Sequence, residues 1–403
     1  MAFYQDLSEM ISNGNNAKEP APQASWSPAE FTAALGKTAF AFRGYNVTNL
    51  ARTPELYACD HFRATLEEYL RRGSAIAESV TGKRVDLVKR VQQGRDTSLA
   101  TYHEAIAMII AVEMAQLELL GEKFGVPWQQ AKVGYGFSLG EIGALVAGGI
   151  LKMEDALRIP LSLSADCVSL AHDVTLGVLF SRGQPLDKNK VHQVCEKITS
   201  EGNGTIGISA YLAPNSLLAI GQGKTLTVFR QRLGEISAER LHLRCNEHQW
   251  PPLHTPIVWQ FNIPDRASRL LEQTPLRFES PSPPVYSLAA AEPYDGYNAR
   301  TLLRSWVDHT QQLWSSVDMT LSGGIDTVVH VGPKPNIISA TFHRLADNVE
   351  AQTKGSIHMR ALSGIISRPW LSSLLPNSVN LLRAPQIRHI ILEDWLIQQH
   401  AML

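Results

Sequence analysis

The sequence predicts an α/β fold in which a core with a short parallel sheet and flanking helices carries an inserted βαββαβ subdomain. Three observations support this fold class. Residues 38–42 and 326–332 form short apolar runs that end in or near glycine, as expected for buried strands. Residues 133–149 have the pattern strand, tight turn, helix. Residues 174–250 alternate between strand and helix patterns in the order βαββαβ, which is typical of a ferredoxin-like subdomain.

The composition narrows the class of function. The chain has 403 residues, 37 basic and 38 acidic side chains, a formal net charge of −1 and 44% hydrophobic residues. This balance gives no electrostatic footprint for a nucleic acid or a membrane surface. The expected partners are therefore small molecules or proteins.

Further features of the sequence predict a soluble protein without a metal site. The four cysteines are far apart and do not cluster with histidine, so we expect reduced thiols and no metal site. The N-terminus lacks the basic and apolar regions of a secretory signal. The most apolar helical segment, residues 105–120, contains Glu113 and Glu118 and is too short to cross a bilayer. These features predict a cytoplasmic protein.

The pattern along the chain predicts four segments. Residues 1–35 are rich in Pro, Asn and Ala and read as a flexible leader. Residues 36–172 and 254–345 form the α/β core, and residues 173–253 form the ferredoxin-like subdomain. Residues 346–403 form a C-terminal extension. It ends in a short helix predicted over residues 387–399, because Ile387, Ile390, Ile391 and Trp395 follow helical spacing.

Ser138 is the first candidate for chemistry. It lies in the GxSxG pattern of residues 136–140, which alone is weak evidence because short glycine-rich patterns recur by chance. Its context, a strand before and a helix after, is that of a nucleophile elbow in a hydrolase-like core. The N–H group of Leu139 would then face a developing oxyanion. A glycine-rich packing turn with an incidental serine is the alternative.

A serine nucleophile needs a base, and His254 is the candidate among 13 histidines. It follows Pro251 and Pro252 where the inserted subdomain rejoins the core, and a junction of two domains is a usual place for a cleft. A purely structural histidine at this position is the alternative.

Five segments in order resemble one family. The segment GFSLGEIGALVAGGILKMEDALRI resembles the nucleophile region of malonyl-CoA:acyl-carrier-protein transacylases and polyketide synthase acyltransferase domains. PPLHTPIV resembles their histidine segment, AYLAPNSLLAIGQ a strand pair of their subdomain, and FAFRGYN their first-strand loop. QLWSSVDMTLSGGIDTVVHVGPKPNII resembles their closing region. The similarity spans roughly residues 36–345.

The resemblance implies acyl transfer by a ping-pong route. Ser138 would attack the thioester of an acyl-CoA with His254 as base, and the phosphopantetheine thiol of an acyl carrier protein would collect the acyl group. The chain itself would need no bound cofactor. The N–H groups of Leu139 and of Tyr45, in the loop of residues 42–46, would hold the oxyanion. A main-chain carbonyl near Asn336 would orient His254. Glu141 matches the acid of the family motif, and a purely structural role for it is equally expected.

The pocket departs from the family pattern at three positions. Leu163 occupies the position of the arginine that pairs with the malonyl carboxylate, Phe137 replaces a histidine, and Tyr45 replaces a glutamine. An unpaired carboxylate in an enclosed cleft would cost several kcal/mol. Arg43 or Arg158 could supply a substitute cation, although a structural role is the more usual one. Acyl transfer is therefore predicted more firmly than malonyl transfer, with acetyl or a longer chain as competitors.

Two other functions stay open at this point. Hydrolysis on the same scaffold differs from transfer only in whether water reaches the acyl-serine. A non-catalytic protein that docks to carrier or synthase partners would also explain the changed pocket and the extension. An ordinary α/β-hydrolase esterase is disfavoured, because about 150 residues follow His254 and the subdomain separates it from Ser138.

Overall fold

The computed structural model describes residues 26–334, 336–353, 371, 374 and 379–400. Strands and helices alternate along most of this part of the chain. The strands are β1 (Thr38–Phe42), β2 (Val133–Gly136), β3 (Val174–Ser181), β4 (Ile206–Ala213), β5 (Ser216–Gln222), β6 (Leu241–Gln249), β7 (Val285–Ser287), β8 (Glu292–Pro293), β9 (Thr327–Val331) and β10 (Arg388–Ile391).

The α-helices that matter here are numbered in chain order. They are α1 (Pro28–Ala34), α2 (Thr53–Ala58), α3 (Asp60–Thr81), α4 (Leu87–Gln92), α5 (Tyr102–Phe124), α6 (Leu139–Ala147), α7 (Met153–Leu170), α8 (Lys188–Ser200), α9 (Thr225–Gln231), α10 (Leu233–Ile236), α11 (Ile263–Glu272), α12 (Ala299–Ser305), α13 (Leu313–Ser322), α14 (Ile337–Thr353) and α15 (Leu392–His400).

The core is built on a six-stranded sheet in the order β10-β9-β1-β2-β7-β8. The first five strands are parallel, and β8 is antiparallel to β7. Every residue of β1, β2 and β9 is buried, which is the pattern of parallel strands covered on both faces. The predicted parallel α/β core is confirmed. Its parallel arrangement brings the ends of β1, β2 and β9 to one edge, called here the carboxyl edge.

The inserted subdomain is a four-stranded antiparallel sheet in the order β4-β5-β3-β6. Its elements follow each other as β3, α8, β4, β5, α9, α10 and β6, which is the predicted βαββαβ sequence with one helix broken in two. One face of the sheet contributes Val178, Leu212 and Leu218 to the main hydrophobic core. The other face buries Leu179 and Leu217 in a separate cluster with α8 and α9. The subdomain therefore packs through one face and closes its own core with the other.

The predicted flexible leader is partly wrong, because α1 lies within it. Ser27 caps this helix by accepting a hydrogen bond from the Glu30 N–H, and the Glu30 carboxylate reaches back to Ser27. Phe31 is fully buried, with its ring in contact with Phe40 and Trp395. One buried aromatic and a capping box stabilise the helix against the core. Residues 1–25 lie outside the described part of the chain.

The predicted helix over residues 387–399 is wrong in its first part. Residues 388–391 form β10, which extends the main sheet in parallel register with β9, and α15 begins at Leu392. Ile390 and Ile391 favour a strand at least as readily as a helix, and the edge of β9 supplies the backbone hydrogen-bond partners. The C-terminal extension thus adds a strand to the core. Residues 354–370 of the extension lie outside the described part of the chain.

None of the helices in the described ranges is long and apolar enough to cross a membrane. Within the same ranges, no group of three or more His, Cys, Asp or Glu side chains is arranged to hold a metal ion.

Candidate active site

Ser138 lies at the carboxyl edge, on a sharp turn between β2 and α6. Its backbone has φ 55° and ψ −117°, a conformation that is costly for a residue with a side chain. The turn depends on glycine on both sides. A Cβ on Gly136 would lie 2.0 Å from the Gly140 carbonyl, and one on Gly140 would lie 2.3 Å from the Phe42 carbonyl oxygen. The strand–turn–helix elbow predicted from the GxSxG pattern is therefore present, at the N-terminus of α6.

Ser138 and His254 meet across the junction of core and subdomain. The Ser138 Oγ lies 2.7 Å from His254 Nε2, although 116 positions separate the two residues in the chain. His254 is only 3% exposed and also has a positive φ, 65°. Its main-chain N–H donates to the Val307 carbonyl at 2.8 Å, which fixes the segment against the chain that follows α12. The structure thus brings the two sequence candidates into hydrogen-bond contact.

The segment that follows α12 orients His254. The main-chain carbonyl of Trp306 accepts a hydrogen bond from the ring, and the Gln311 Nε2 lies 3.4 Å from Nδ1. With Nε2 facing Ser138, the bond to Trp306 leaves Nε2 unprotonated. Burial lowers the pKa of His254 to about 3, a shift that the bond to Trp306 only partly opposes. The imidazole is therefore neutral at physiological pH.

The prediction that a carbonyl near Asn336 orients His254 is corrected. The orienting carbonyl comes from Trp306, and the Asn336 Oδ1 instead accepts from the Ile338 N–H at 2.9 Å, at the start of α14. A side chain that caps a helix start satisfies one of its free N–H groups. Asn336 thus stabilises α14.

Two residues of the site, Gln311 and Trp306, were not predicted from the sequence. The Gln311 Oε1 accepts from the Ser138 N–H at 3.2 Å while its amide nitrogen approaches His254, so this side chain spans the pair. The Trp306 Nε1 donates to the Ser138 carbonyl at 2.8 Å. Both residues lie just before the closing region that resembles the family. Only their position beside a candidate segment could have drawn attention to them.

The N–H groups near Ser138 come from α6 and from the loop after β1. Leu139 is the first residue of α6, where an N–H has no acceptor within the helix. In the loop, the Arg43 N–H donates to Glu113 and the Asn46 N–H donates to Asn49. The N–H groups of Gly44 and Tyr45 are thus the ones that the loop leaves for a substrate. A Cβ on Gly44 would lie 3.3 Å from the Ser138 Cβ, so this loop passes directly beside the serine.

Arg43 does not face the pocket as a cation for substrate. It is fully buried, and its guanidinium donates to the carbonyls of Gly44 and Pro333, both at 2.8 Å, and to Asn49 Oδ1 at 2.7 Å. Arg158, the other candidate, is exposed on α7. The idea of Arg43 as a substrate-pocket residue is therefore corrected: its donors hold main-chain carbonyls, which is the structural alternative.

The three side chains that depart from the family pattern are apolar or neutral. Leu163 is buried in α7, and Phe137 is buried beside the serine. The Tyr45 ring packs edge-on against Tyr102, with centroids 4.8 Å apart, and against Trp250 at 6.1 Å. Burial raises the pKa of Tyr45 to about 12, so its phenol stays neutral.

Glu141 lies in the first turn of α6 and is fully buried. Its carboxylate accepts from the Ser287 and Tyr294 hydroxyls, both at 2.6 Å, and from the N–H groups of Leu288 and Ala289 at 3.2 and 3.3 Å. Burial raises its pKa to about 7 in spite of these four donors. Glu141 therefore ties β7 and the turn after it to the serine helix, as the structural alternative predicted.

No protein-family model matches the chain. Malonyl CoA-acyl carrier protein transacylase of Bacillus subtilis is 22% identical over 281 residues, which are 67% of this chain and 64% of that protein. The chain thus spans less than two thirds of the length of this curated relative.

Solved structures of the same kind of protein are also similar. FabD from Acinetobacter baumannii superposes with a TM-score of 0.59 and 19% identity, covering 76% of this chain and 91% of that chain. MCAT from Streptococcus pneumoniae gives 0.61 and 22%, covering 76% and 92%. The acyltransferase domain of the second module of the salinomycin polyketide synthase gives 0.58 and 20%, covering 77% and 67%. The resemblance inferred from the sequence is confirmed, and the chain has the α/β fold of malonyl-CoA:acyl carrier protein transacylases and polyketide synthase acyltransferase domains.

Proposed function

We propose that this protein is an acyltransferase that moves an acyl group from coenzyme A to the phosphopantetheine thiol of an acyl carrier protein, through an acyl-serine at Ser138. One observation carries the proposal. Ser138, at the N-terminus of α6, has its Oγ 2.7 Å from Nε2 of the neutral His254 ring. The relatives named above support the reaction class, and one similar structure is a type II polyketide acyl-carrier protein in complex with its malonyl-transacylase.

The first half-reaction uses both residues. Ser138 Oγ attacks the thioester carbonyl while His254 Nε2 accepts the hydroxyl proton, and the carbonyl oxygen becomes an oxyanion. The N–H groups of Leu139 and Tyr45 stabilise that charge, and each such donor is typically worth about 3 to 4 kcal/mol in the barrier. As the tetrahedral intermediate collapses, the carbon–sulfur bond breaks and His254 returns the proton to the coenzyme A thiolate.

The second half-reaction repeats these steps with a different nucleophile. The carrier thiol gives its proton to His254 and attacks the acyl-serine, and His254 then protonates the departing Ser138 Oγ. No bound cofactor takes part, because the phosphopantetheine belongs to the carrier. Water in place of the thiol would give hydrolysis.

The acyl group is proposed to be uncharged, acetyl or a longer chain. Leu163 occupies the position where the family resemblance expects the arginine that pairs with a malonyl carboxylate, and the Arg43 guanidinium is committed to the carbonyls of Gly44 and Pro333. Burying a carboxylate without a bidentate partner costs several kcal/mol. This proposal differs from the malonyl substrate in the names of the relatives.

The test is intact mass measurement after incubation with acetyl-, hexanoyl- or malonyl-CoA. Wild type should gain one acyl mass, fastest with an uncharged acyl group, while Ser138→Ala should gain none. Addition of a phosphopantetheinylated carrier should then remove the acyl mass from the enzyme and add it to the carrier. Rapid loss to free acid without carrier would indicate a hydrolase, and the absence of any adduct would contradict the proposal.

A matched pair of variants tests the acyl preference. Leu163→Arg should shift the ratio of acylation rates towards malonyl-CoA by at least tenfold, because it supplies a carboxylate partner. Leu163→Met keeps an apolar side chain of similar volume and should leave the ratio unchanged. Wild type that prefers malonyl-CoA would refute the uncharged acyl group while leaving acyl transfer intact.

A further inference from the structure

Four chain segments lie side by side along the carboxyl edge of the main sheet. Since the strand order is β10-β9-β1-β2, the start of α15 lies next to the loop after β9, that loop lies next to the loop after β1, and the last lies next to Ser138. The C-terminal strand and helix are thus connected with the serine through two neighbouring loops.

The first connection joins α15 to the loop after β9. The Glu393 side chain is fully buried, and its Oε1 accepts from the main-chain N–H of Lys334 at 3.0 Å. The neighbouring Asp394 binds Lys334 Nζ through Oδ2 and Arg52 Nη1 through Oδ1, both at 2.7 Å. Hydrogen bonds to a carboxylate are stronger than those between neutral groups. Two successive acidic side chains of α15 therefore fix this loop. Burial raises the pKa of the first, Glu393, to about 7, and the Lys334 N–H opposes that shift.

The second connection joins the loop after β9 to the loop after β1. Arg43 Nη1 donates to the carbonyl of Pro333 at 2.8 Å, and it lies 3.4 Å from that of Lys334. The space for this arginine requires glycine at position 332, where φ is +93° and a Cβ would lie 2.9 Å from Arg43 Cγ. The guanidinium is buried and serves as a rigid, planar fork between the two loops.

The third connection reaches the serine. Arg43 Nε donates to the carbonyl of Gly44, its immediate neighbour, at 2.8 Å. This bond sets the orientation of the peptide between Gly44 and Tyr45, whose N–H is the oxyanion donor of the proposed function. Gly44 in turn lies against Phe137 and Ser138. A small rotation of that peptide would turn the N–H away from the oxyanion, and such donors act only when they are fixed in place.

We propose that Glu393 and Asp394 of the C-terminal helix are positioning residues that hold the oxyanion loop of Ser138 in its working geometry, acting through Lys334 and Arg43. This inference rests on the proposed function for the role of the Tyr45 N–H. By this inference the C-terminal extension positions the loop beside Ser138 through intermediate residues and without direct contact between α15 and the serine. Its physical content is a continuous set of hydrogen bonds from α15 to Gly44, which is buried at Glu393 and Arg43 and partly exposed at Asp394 and Lys334.

The test uses a fluorophosphonate probe, which needs no acyl-CoA. Ser138 Oγ forms a bond to phosphorus as the phosphorus–fluorine bond breaks, and the phosphoryl oxygen occupies the oxyanion position. Glu393→Ala removes the acceptor for Lys334, whereas Glu393→Gln keeps a carbonyl oxygen there. Asp326→Asn is the matched control, because Asp326 pairs with Arg383 of the same C-terminal segment at 2.7 Å but not with Lys334.

Glu393→Ala should slow labelling at least tenfold per titratable serine, while Glu393→Gln and Asp326→Asn should stay within threefold of wild type. Hydrogen–deuterium exchange at residues 43–46 should accelerate in Glu393→Ala alone. If that variant does not fold, Asp394→Asn, at a partly exposed position, should slow labelling by more than the threefold range allowed for the controls. Labelling at the wild-type rate, or equal slowing in all variants together with equal losses of Tm, would overturn the inference.

The exchange measurement also separates this inference from the proposed function. Wild type that reacts with the probe but accepts no acyl group would remove acyl transfer and leave the positioning role standing. If the wild-type protein does not react with the probe, hydrogen–deuterium exchange at residues 43–46 tests the inference by itself. Unchanged exchange in Glu393→Ala would then refute the positioning role of α15.

Discussion

The core and the inserted subdomain differ in the kinds of polar side chain that they bury. Within the described ranges, the buried Arg, Lys, Asp and Glu side chains all belong to the core, and they are Arg43, Glu113, Glu141 and Glu393. Burial raises the pKa of the three glutamates. The buried polar side chains between β3 and β6 are neutral, and they are Ser181, Ser209, Asn215, Ser216, Thr225 and Asn246. Ion pairs of the subdomain, such as Arg232 with Glu201 at 2.8 Å, lie nearer the surface.

This difference shows where the protein tolerates an expensive arrangement. A buried charge costs several kcal/mol unless its hydrogen bonds are satisfied, and a neutral, well-packed core of the same volume is often as stable. In the core, three of these groups bind main-chain N–H or carbonyl groups of loops at the carboxyl edge, and Glu141 binds the turn behind it. We conclude that the hydrogen bonds of these buried ionisable side chains fix loop geometry around Ser138, whereas the subdomain sheet is stabilised mainly by apolar packing.

The largest expected effect concerns Glu141. Glu141→Ala would leave two buried hydroxyls and two N–H groups without their acceptor, and we expect it to lower the free energy of unfolding by about 3 to 5 kcal/mol. Glu201→Ala in the subdomain removes only a partly exposed ion pair and should cost less than about 1 kcal/mol. Denaturant unfolding measures both. Equal costs would break the contrast between the two regions.

The next effect concerns Arg43. Arg43→Lys keeps the charge but cannot reach the Gly44 and Pro333 carbonyls and Asn49 at once, so we expect Ser138 acylation to slow by about 10- to 100-fold. Arg232→Lys is the matched control in the subdomain and should leave the rate unchanged. Single-turnover acylation monitored by mass measures both. A wild-type rate in Arg43→Lys would show that the loop does not depend on the guanidinium fork.

The smallest effect is a predicted absence of change with pH. Because burial lowers the pKa of His254 to about 3, the base stays neutral from pH 8 to pH 5, and the acylation rate should vary less than twofold over that range. Stability should behave differently. Below about pH 6.5 the unfolded chain protonates this histidine while the folded one does not, so stability falls by about 1.4 kcal/mol per pH unit from this group alone.

Stopped-flow acylation and denaturant unfolding across the same pH range check this pair of expectations. A rate that falls with a midpoint near pH 6.5 in wild type and also in Glu141→Gln and Glu393→Gln, whose carboxyl pKa values of about 7 are thereby removed, would mean that His254 is hydrated like a surface histidine. His254 would then not share the burial of the other side chains at the carboxyl edge.

Local patterns predicted the elements on which the site is built. The glycines around Ser138 leave few conformations other than the elbow, and the alternation of strands and helices predicted the βαββαβ insertion. His254 followed from its place at the junction of two segments. Arg43 and the start of the C-terminal helix were misjudged because Pro333 and strand β9, which fix them, lie far away in the chain. Asn336 was misjudged although its partner, Ile338, is local. Ser27 and Glu30 formed a capping box that a local reading could have recognised.

The sequence by itself determined the class of fold, the elbow that presents Ser138 and the apolar character at Leu163, because each depends on residue types and short-range sterics. Only the tertiary structure decided what orients His254, where the Arg43 guanidinium is directed and that the C-terminal segment completes the sheet. These depend on which carbonyls and N–H groups meet after parallel strands bring their ends together. Such meetings join residues up to several hundred positions apart, and a local pattern carries no information about them.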